Sequence, residues 1–454
     1  MVVVGAARSG IAAAKLLASR GARVMLTETR ASFDEATQLQ DAGVELELGG
    51  HRPATLAGAD LIVTSPGVAL EQPVFDDARR AGVEMIGELE LAWRWVKGPV
   101  IAITGTKGKS TTTTMVGRML AAAGTDVLVG GNIGVPLSAQ VGASTERTVH
   151  VVEVSSFQLE TTTTFKPWIA LWLNFADDHL DRHPTVAAYA AAKARIFANQ
   201  TADDWAVVNA DDATVVEKSS RTLARRIEFS PSGNIPIGFV VDGDWIVRRT
   251  AAGVERLVPT DAVELAGRHM LDNVVAATAV ATVAGVPADA LVDALKGFRG
   301  LEHVMEPVAR IGGVSFVNDS KATNVEAARR SIESFDGVVA IIGGRFKGGN
   351  LRELRDALAS RGRGVVAIGE AAPLVRDALA GVVRVVEAGS MAEAVERGHE
   401  LAAPDGVVLL APACASFDWF RDYAERGRTF KEDVLELKRR MEGAAGLAAR
   451  PTDP

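Results

Sequence analysis

The run Gly105-Thr106-Lys107-Gly108-Lys109-Ser110 sets a lysine and a hydroxyl directly after a glycine-rich turn. Between a strand and a helix, such a run does phosphate chemistry. Glycines let backbone N–H groups approach phosphate oxygens, and the helix N-terminus adds a favourable dipole. Lys109 would supply a point charge to the β- and γ-phosphates, and Ser110 a hydroxyl to Mg²⁺. Thr111 to Thr114 are poor mid-helix residues, but in a first turn their hydroxyls satisfy exposed N–H groups. Ile103 stands where the general phosphate-loop pattern has a further glycine. A plain glycine turn is the alternative reading.

Other residues carry similar choices. Glu153 closes the apolar run Val149–Val154, where a Mg²⁺-binding acid is expected beside a phosphate-loop strand. Asp177, Asp178, His179, Asp181 and His183 crowd the segment after Ile169–Leu173. That density reads as a metal or phosphate site, or as a solvated loop. Lys193 lies in a helical stretch, Val186–Phe197, where a lone lysine is ordinarily a solvated stem. Asn273, early in a helix from Leu271 to Ala284, reaches either a ligand or only the backbone. Gly131-Asn132-Ile133-Gly134 forms a second glycine turn, after Val127–Gly130.

These side chains need elements to hold them. Val100–Thr104 reads as a buried strand, and a helix runs from Lys109 to Ala123 with Gly124 as C-cap. Upstream, the strand Val2–Val4, the turn Gly5–Gly10, an Ala/Leu helix and the strand Val24–Thr27 ending at Glu28 make a βαβ unit. Ala7 replaces the middle glycine of the dinucleotide fingerprint, and its Cβ crowds a pyrophosphate. A dinucleotide, another nucleotide and plain structure all stay open. Leu61–Thr64 ends in Ser65-Pro66-Gly67, either a ligand turn at a strand end or an ordinary Pro-Gly turn. Ile235–Leu257 alternates like small antiparallel strands. From about Gly300 a further set of strands (Val314–Val317, Val338–Ile342, Val365–Gly369, Val382–Val386, Val407–Leu410) alternates with helices, a doubly wound pattern.

Composition narrows the class. A chain of 454 residues holds two to four domains at roughly 100–200 residues each. A net charge of −8 and no basic block argue against a general nucleic-acid binder. Cys414 is the single cysteine, so no disulfide forms within the chain, which suits a reducing compartment. No apolar run is long enough to span a membrane and no signal peptide is recognisable, so a cytoplasmic protein is expected.

Taken together and in order, GTKGKST, GGNIG, VEVSSFQLE, DDHLDRH, Lys193 in AAKARIF, GRH, NDSKATN and PACASFD resemble the Mur ligases, ATP-dependent amino-acid-adding enzymes of bacterial cell-wall synthesis. The resemblance covers nearly the whole chain. NDSKATN and PACASFD are similar to the branch that adds D-glutamate to UDP-N-acetylmuramoyl-L-alanine. The resemblance implies an α/β fold of three domains: a Rossmann-like domain over residues 1–87 for the UDP substrate, a central ATP-binding domain over 88–298, and a doubly wound domain over 299–454 for the amino acid.

It also implies roles. Arg8, Ser9, Glu28, Thr29, Arg30, Ser65, Pro66, Gly67 and Asn132 would hold the UDP substrate. Gly105, Thr106, Lys107, Gly108, Lys109, Ser110, Thr111 and Asn273 would hold ATP. Ser110, Glu153 and His179 would ligate Mg²⁺, and Lys193 resembles the family lysine that CO₂ converts to a carbamate able to support a second Mg²⁺. Asp319 and Lys321 would act on the nucleotide from the third domain. Thr323, Lys347, Ser416 and Tyr423 would surround D-glutamate. A monomer is implied, with domain closure before an acyl phosphate forms. Three positions depart from the family pattern: His303-Val304 replaces His-Arg, Met270 stands where asparagine commonly follows the histidine, and Glu28 replaces an aspartate. A ligase for another amino acid, or a non-catalytic nucleotide-sugar binder, are the competing readings; Val304 motivates the second.

Overall fold

In a computed structural model, residues 1–176, 182–262, 268–298, 300–346 and 348–448 are described. The chain divides into two compact units, Met1–Phe298 and Arg299–Pro454. The first unit holds two sheets and the second holds one. Among the described residues, no helix is long and apolar enough to cross a membrane.

The first sheet is built from β1 (Val2–Val4), β2 (Val24–Glu28), β3 (Val44–Leu48), β4 (Leu61–Thr64) and β5 (Glu84–Gly87). All pairs are parallel, in the order β3-β2-β1-β4-β5. The chain reverses its winding between β1 and β4, so their carboxyl ends open a crevice. Gly10 sits in the helix Arg8–Ser19 with its α-carbon hard against the β1 turn; a Cβ there would lie 1.9 Å from the Gly5 carbonyl oxygen. That is the close helix–strand approach for which the fingerprint needs glycine.

The second sheet comprises β6 (Val100–Thr104), β7 (Val127–Gly131), β8 (Val149–Glu153), β9 (Ile169–Trp172), β10 (Trp205–Asn209), β11 (Arg225–Ser230), β12 (Gly238–Asp242), β13 (Trp245–Thr250) and β14 (Gly253–Pro259). Its order is β14-β13-β12-β11-β10-β9-β6-β8-β7, and only β12-β13-β14 run antiparallel. β6 lies between β8 and β9. Its five residues are all buried, as a strand covered by helices on both faces requires. Ile101 and Ile103 enter one apolar core, Val100 and Ala102 the other, which is the two-residue alternation of a pleated strand.

Two buried carboxylates on the helix Glu88–Trp93 join the two sheets of this unit. Glu90 accepts hydrogen bonds from the N–H groups of Thr163, Thr164 and Phe165 and from both threonine hydroxyls. Glu88 accepts from the Ser138 N–H at 2.6 Å. Burial raises the Glu88 pKa, whereas at Glu90 the donors outweigh burial and lower it.

The second unit contains β15 (Glu306–Ile311), β16 (Val314–Asn318), β17 (Val338–Gly343), β18 (Gly362–Ile368), β19 (Arg384–Ala388) and β20 (Val407–Leu410). The order is β15-β16-β20-β17-β18-β19, with only β15-β16 antiparallel. β16, β20 and β17 are neighbours, so the loops at their carboxyl ends meet.

Sequence patterning located most of these elements. The expected helix to Ala123 ends at Ala122, and the expected strand Val382–Val386 lies at Arg384–Ala388. The stretch Val186–Phe197 is α-helical to Ala194 and finishes as a 3₁₀ turn, Arg195–Phe197. β3 was not read from the sequence; its alternate positions are glutamates, Glu45 exposed and Glu47 buried.

Candidate active site

At the crevice of the first sheet, Glu28 organises the turn. Its carboxylate accepts from the Ala6 N–H at 2.7 Å, the Arg30 N–H at 3.1 Å, the Thr29 hydroxyl at 3.0 Å and the Arg30 guanidinium at 3.1 Å. Burial opposes its charge, but these donors outweigh burial and pull its pKa down to about 2. Arg30 also donates to the Ala6 carbonyl at 3.0 Å. Ser65 donates to the Gly5 carbonyl at 2.9 Å, and Arg8 to the Gly134 carbonyl at 3.2 Å. Glu28 and Ser65 therefore build the turn, and Arg8 connects it to the second glycine turn.

A carboxylate depressed from 4.5 to about 2 stabilises the fold above pH 4.5, and that stabilisation is lost as pH falls toward 2. Its ceiling is about 3 kcal/mol, reduced by the solvent exposure of Arg30. Glu28→Gln is expected to flatten the acid limb of an unfolding profile over this interval. An unchanged limb would remove Glu28 from the account.

The phosphate loop lies at the carboxyl end of β6. Gly108 precedes the helix Lys109–Ala122 with φ +79°, and a Cβ there would lie 2.1 Å from the Asn273 side-chain oxygen. Asn273 is buried and packs directly against the loop. Gly108→Ala is expected to raise the ATP KM about tenfold or more, since it adds both backbone strain and a clash. A normal ATP KM would show that the loop does not touch nucleotide. Lys109 Nζ donates to the Gly105 carbonyl at 2.9 Å and the Thr106 carbonyl at 3.1 Å.

Glu153 is almost fully buried at the end of β8. Ser110 donates to one of its oxygens at 2.6 Å and Asn132 Nδ2 to the other at 2.7 Å. The Asn132 N–H also donates to the Glu153 carbonyl at 2.9 Å. Asn132, expected at the UDP substrate, is thus in hand-to-hand contact with the expected metal ligand.

Lys193 is 1% exposed, which overturns the solvated-stem reading. Its Nζ donates to the Gly105 carbonyl at 2.8 Å and lies 4.7 Å from the centre of the Tyr189 ring. Burying an amine is costly unless it is hydrogen-bonded and paired.

The second unit gathers its own cluster. Asp319 accepts from the Met305 N–H at 3.2 Å and from the Ser331 hydroxyl. Burial pushes the Asp319 carboxyl up, against the Ser331 and Met305 donors and the Lys321 charge. Lys321 is exposed and Thr323 half-buried. Ser416 is buried after β20, and Tyr423 opens the helix Tyr423–Ala448 with 40% of its surface exposed.

Family models match along the chain in three blocks: the MurD-like Mur ligase N-terminal domain at residues 1–87, the Mur ligase middle domain at 103–281, and the Mur ligase glutamate ligase domain at 305–414. The UDP-N-acetylmuramoylalanine–D-glutamate ligase of Acidobacterium capsulatum is 46% identical over 441 residues, 96% of each chain. That of Pelotomaculum thermopropionicum is 41% identical over 445 residues, 97% of this chain and 98% of its own. The chain belongs to the Mur ligase family. Solved Mur ligase structures share its fold. The UDP-N-acetylmuramate-alanine ligase MurC from Thermotoga maritima aligns over 96% of this chain and 99% of its own, with TM-score 0.57 and 18% identity. A pseudomurein peptide ligase type C from Methanothermus fervidus aligns over 96% and 100%, with TM-score 0.56 and 17% identity.

For a Mur ligase, the donors suit ATP and Mg²⁺. A hydroxyl and a carboxylate, Ser110 and Glu153, are hard oxygen ligands beside a phosphate loop, and Mg²⁺ takes one or two carboxylates together with substrate phosphates. His179 and Lys347, together with Asp177, Asp178 and Asp181, lie outside the described residues. His183, from the same Asp/His run, is buried, with Nε2 3.0 Å from the Ser156 hydroxyl and Nδ1 3.1 Å from Glu160.

Two Mur ligase residues escaped sequence reasoning. Arg426 is buried, and burial lowers its pKa to about 10. It donates to the Ser320 hydroxyl at 3.0 Å, the Ser320 carbonyl at 2.9 Å and the Cys414 carbonyl at 3.1 Å, tying NDSKATN to PACASFD. No local pattern marks a residue whose partners lie 106 positions away. Asn174 is the other. Its side chain meets the phosphate loop, and the residue was visible only as one polar letter in a polar run.

Proposed function

We propose that this Mur ligase uses ATP to join D-glutamate to UDP-N-acetylmuramoyl-L-alanine in peptidoglycan precursor synthesis, as a cytoplasmic monomer with domain boundaries after residues 87 and 298. The observation that carries the reading is the meeting of Ser110 with Glu153 at 2.6 Å, beside a loop that also receives Lys109 and the buried Lys193. The curated relatives bear that activity in their names.

Arg8, Ser9, Thr29, Arg30, Ser65, Pro66 and Gly67 would seat the UDP substrate, with Glu28 holding their turn. Gly105 to Thr111 and Asn273 would hold ATP, with Lys109 at the β- and γ-phosphates. Ser110 and Glu153, with His179, would hold Mg²⁺, which when bound would supply charge neutralisation between two anions. The substrate carboxylate attacks the γ-phosphorus, ADP leaves, and an acyl phosphate forms. The D-glutamate amine then attacks the acyl carbon; phosphate leaves and the amine gives up a proton. Thr323, Lys347, Ser416 and Tyr423 would meet the D-glutamate carboxylates, and Asp319 and Lys321 the nucleotide. Both steps place charge in transit, so positioning and preorganised electrostatics carry the catalysis. Lys193, as a carbamate, would add an anionic ligand for a second Mg²⁺; a carbamate keeps one N–H for the Gly105 carbonyl.

Phosphate release from ATP with UDP-N-acetylmuramoyl-L-alanine is the test, run with D-glutamate, with L-glutamate and with neither. Release only with D-glutamate is expected. Release with L-glutamate instead supports another acceptor. No release, with tight binding of the UDP substrate, supports the non-catalytic binder that Val304 motivates.

A further inference from the structure

We propose that Asn174 is a positioning residue for ATP: it fastens the first half of the phosphate loop so that the second half is set to receive phosphate. Asn174 follows β9, the strand paired with β6 on one side. Its side-chain oxygen accepts from the Thr106 N–H at 3.1 Å and the Lys107 N–H at 2.9 Å. Its amide donates to the Lys107 carbonyl at 3.1 Å, and its own carbonyl also receives the Thr106 N–H at 3.1 Å. One residue thus satisfies two consecutive loop amides and a loop carbonyl.

The surroundings hold Asn174 in turn. The Trp172 indole N–H donates to the Asn174 carbonyl at 3.1 Å. The Thr106 hydroxyl donates to the Ala176 carbonyl at 3.2 Å and accepts from the Ala176 N–H at 3.1 Å. A Cβ on Gly105 would come within 2.9 Å of Leu173, so the loop lies flat against the end of β9.

The consequence is a division of labour within one loop. The Thr106 and Lys107 amides point into Asn174. The first intrahelical bond of the following helix is Thr112 N–H to Gly108 carbonyl at 2.9 Å. The amides of residues 108–111 therefore precede the helical ladder, which is where a helix start receives anions. With the Asn174 side chain removed, the Lys107 amide loses its acceptor and the Thr106 amide keeps only the Asn174 main-chain carbonyl. The freed amide then competes for phosphate or water in other orientations, and the loop loses the single geometry that a transferring phosphoryl group requires.

This proposal rests on the ligase reading for its substrate, but its test does not. The probe is methylanthraniloyl-labelled ATP, titrated into the full chain by fluorescence, with and without Mg²⁺. Asn174→Leu is expected to weaken its binding about tenfold, the scale of one net hydrogen bond. UDP-N-acetylmuramoyl-L-alanine affinity is expected to stay within about twofold. Amide hydrogen exchange supplies the second measurement: the Thr106–Lys107 segment exchanges faster in Asn174→Leu, while the helix from Thr112 keeps its protection. Unchanged nucleotide affinity overturns the proposal. So does an equal loss for both ligands with faster exchange throughout the helix, which would make Asn174 a general stabiliser. A wild-type chain that releases no phosphate with D-glutamate would sink the ligase reading alone, since the titration needs no turnover.

Discussion

Lys193→Ala is expected to lower D-glutamate-dependent phosphate release on the order of 10³-fold, the scale of removing one preorganised electrostatic group from a transition state. The side chain is 1% exposed, with its Nζ 2.8 Å from the Gly105 carbonyl, so the alanine variant removes it from the edge of the phosphate loop itself. Added bicarbonate is expected not to restore the variant, because no amine remains to carbamylate. In the wild-type chain, ¹³C-bicarbonate is expected to yield a carbamate resonance that the variant lacks. Near-normal turnover with an unchanged thermal midpoint would make Lys193 a packing residue. Loss of turnover without a wild-type carbamate signal would leave Lys193 essential and unmodified.

Val304→Arg is expected to act in the opposite direction, raising kcat/KM for ATP by as much as about 10²- to 10³-fold, by analogy with arginine fingers on transferring phosphoryl groups. Residue 304 lies in a strained loop of the second unit. His303 and Met305, on either side, have φ of 66° and 46°, a left-handed region that costs a non-glycine residue about 1–2 kcal/mol. The loop keeps that strain because it is pinned. The Lys321 N–H donates to the His303 carbonyl at 3.1 Å, and the Met305 N–H to Asp319 at 3.2 Å. Asn318 Nδ2 donates to His303 Nδ1 at 3.0 Å, which fixes that ring nitrogen as an acceptor. Burial likewise keeps the His303 pKa low, against the pull of Glu302 and Glu306. The loop that carries residue 304 is therefore fastened to Asp319 and Lys321. Equal or lower kcat/KM would show that this chain works without a cation at 304.

Several site residues were legible as letters. Gly105–Ser110 between a strand run and a helix pattern needed only local reading, and so did the carboxylate at the end of β8. Motif letters were less informative about what each side chain touches. Asn324, the last letter of NDSKATN, accepts from the Ala327 N–H at 2.8 Å and caps the helix Val325–Glu333. Ser320 donates to the Tyr423 carbonyl at 2.7 Å and serves packing. Glu28 and Asn132, read as substrate contacts, spend their hydrogen bonds on the β1 turn and on Glu153. Each of these partners is set by chain crossings that local pattern does not encode.

The sequence by itself determined the parallel strands, the phosphate loop and the family, because buried β-branched runs, glycine turns and motif order are written locally along the chain. Only the tertiary structure decided which polar side chains meet. β6 lies between β8 and β9, so Glu153 comes to Ser110 from one side and Asn174 to Thr106 from the other. The helix that carries Lys193 brings its amine to Gly105, 88 positions away in sequence. A hydrogen bond falls off within an ångström, so it is fixed by strand order and helix packing, which hydrophobic burial sets over the whole unit.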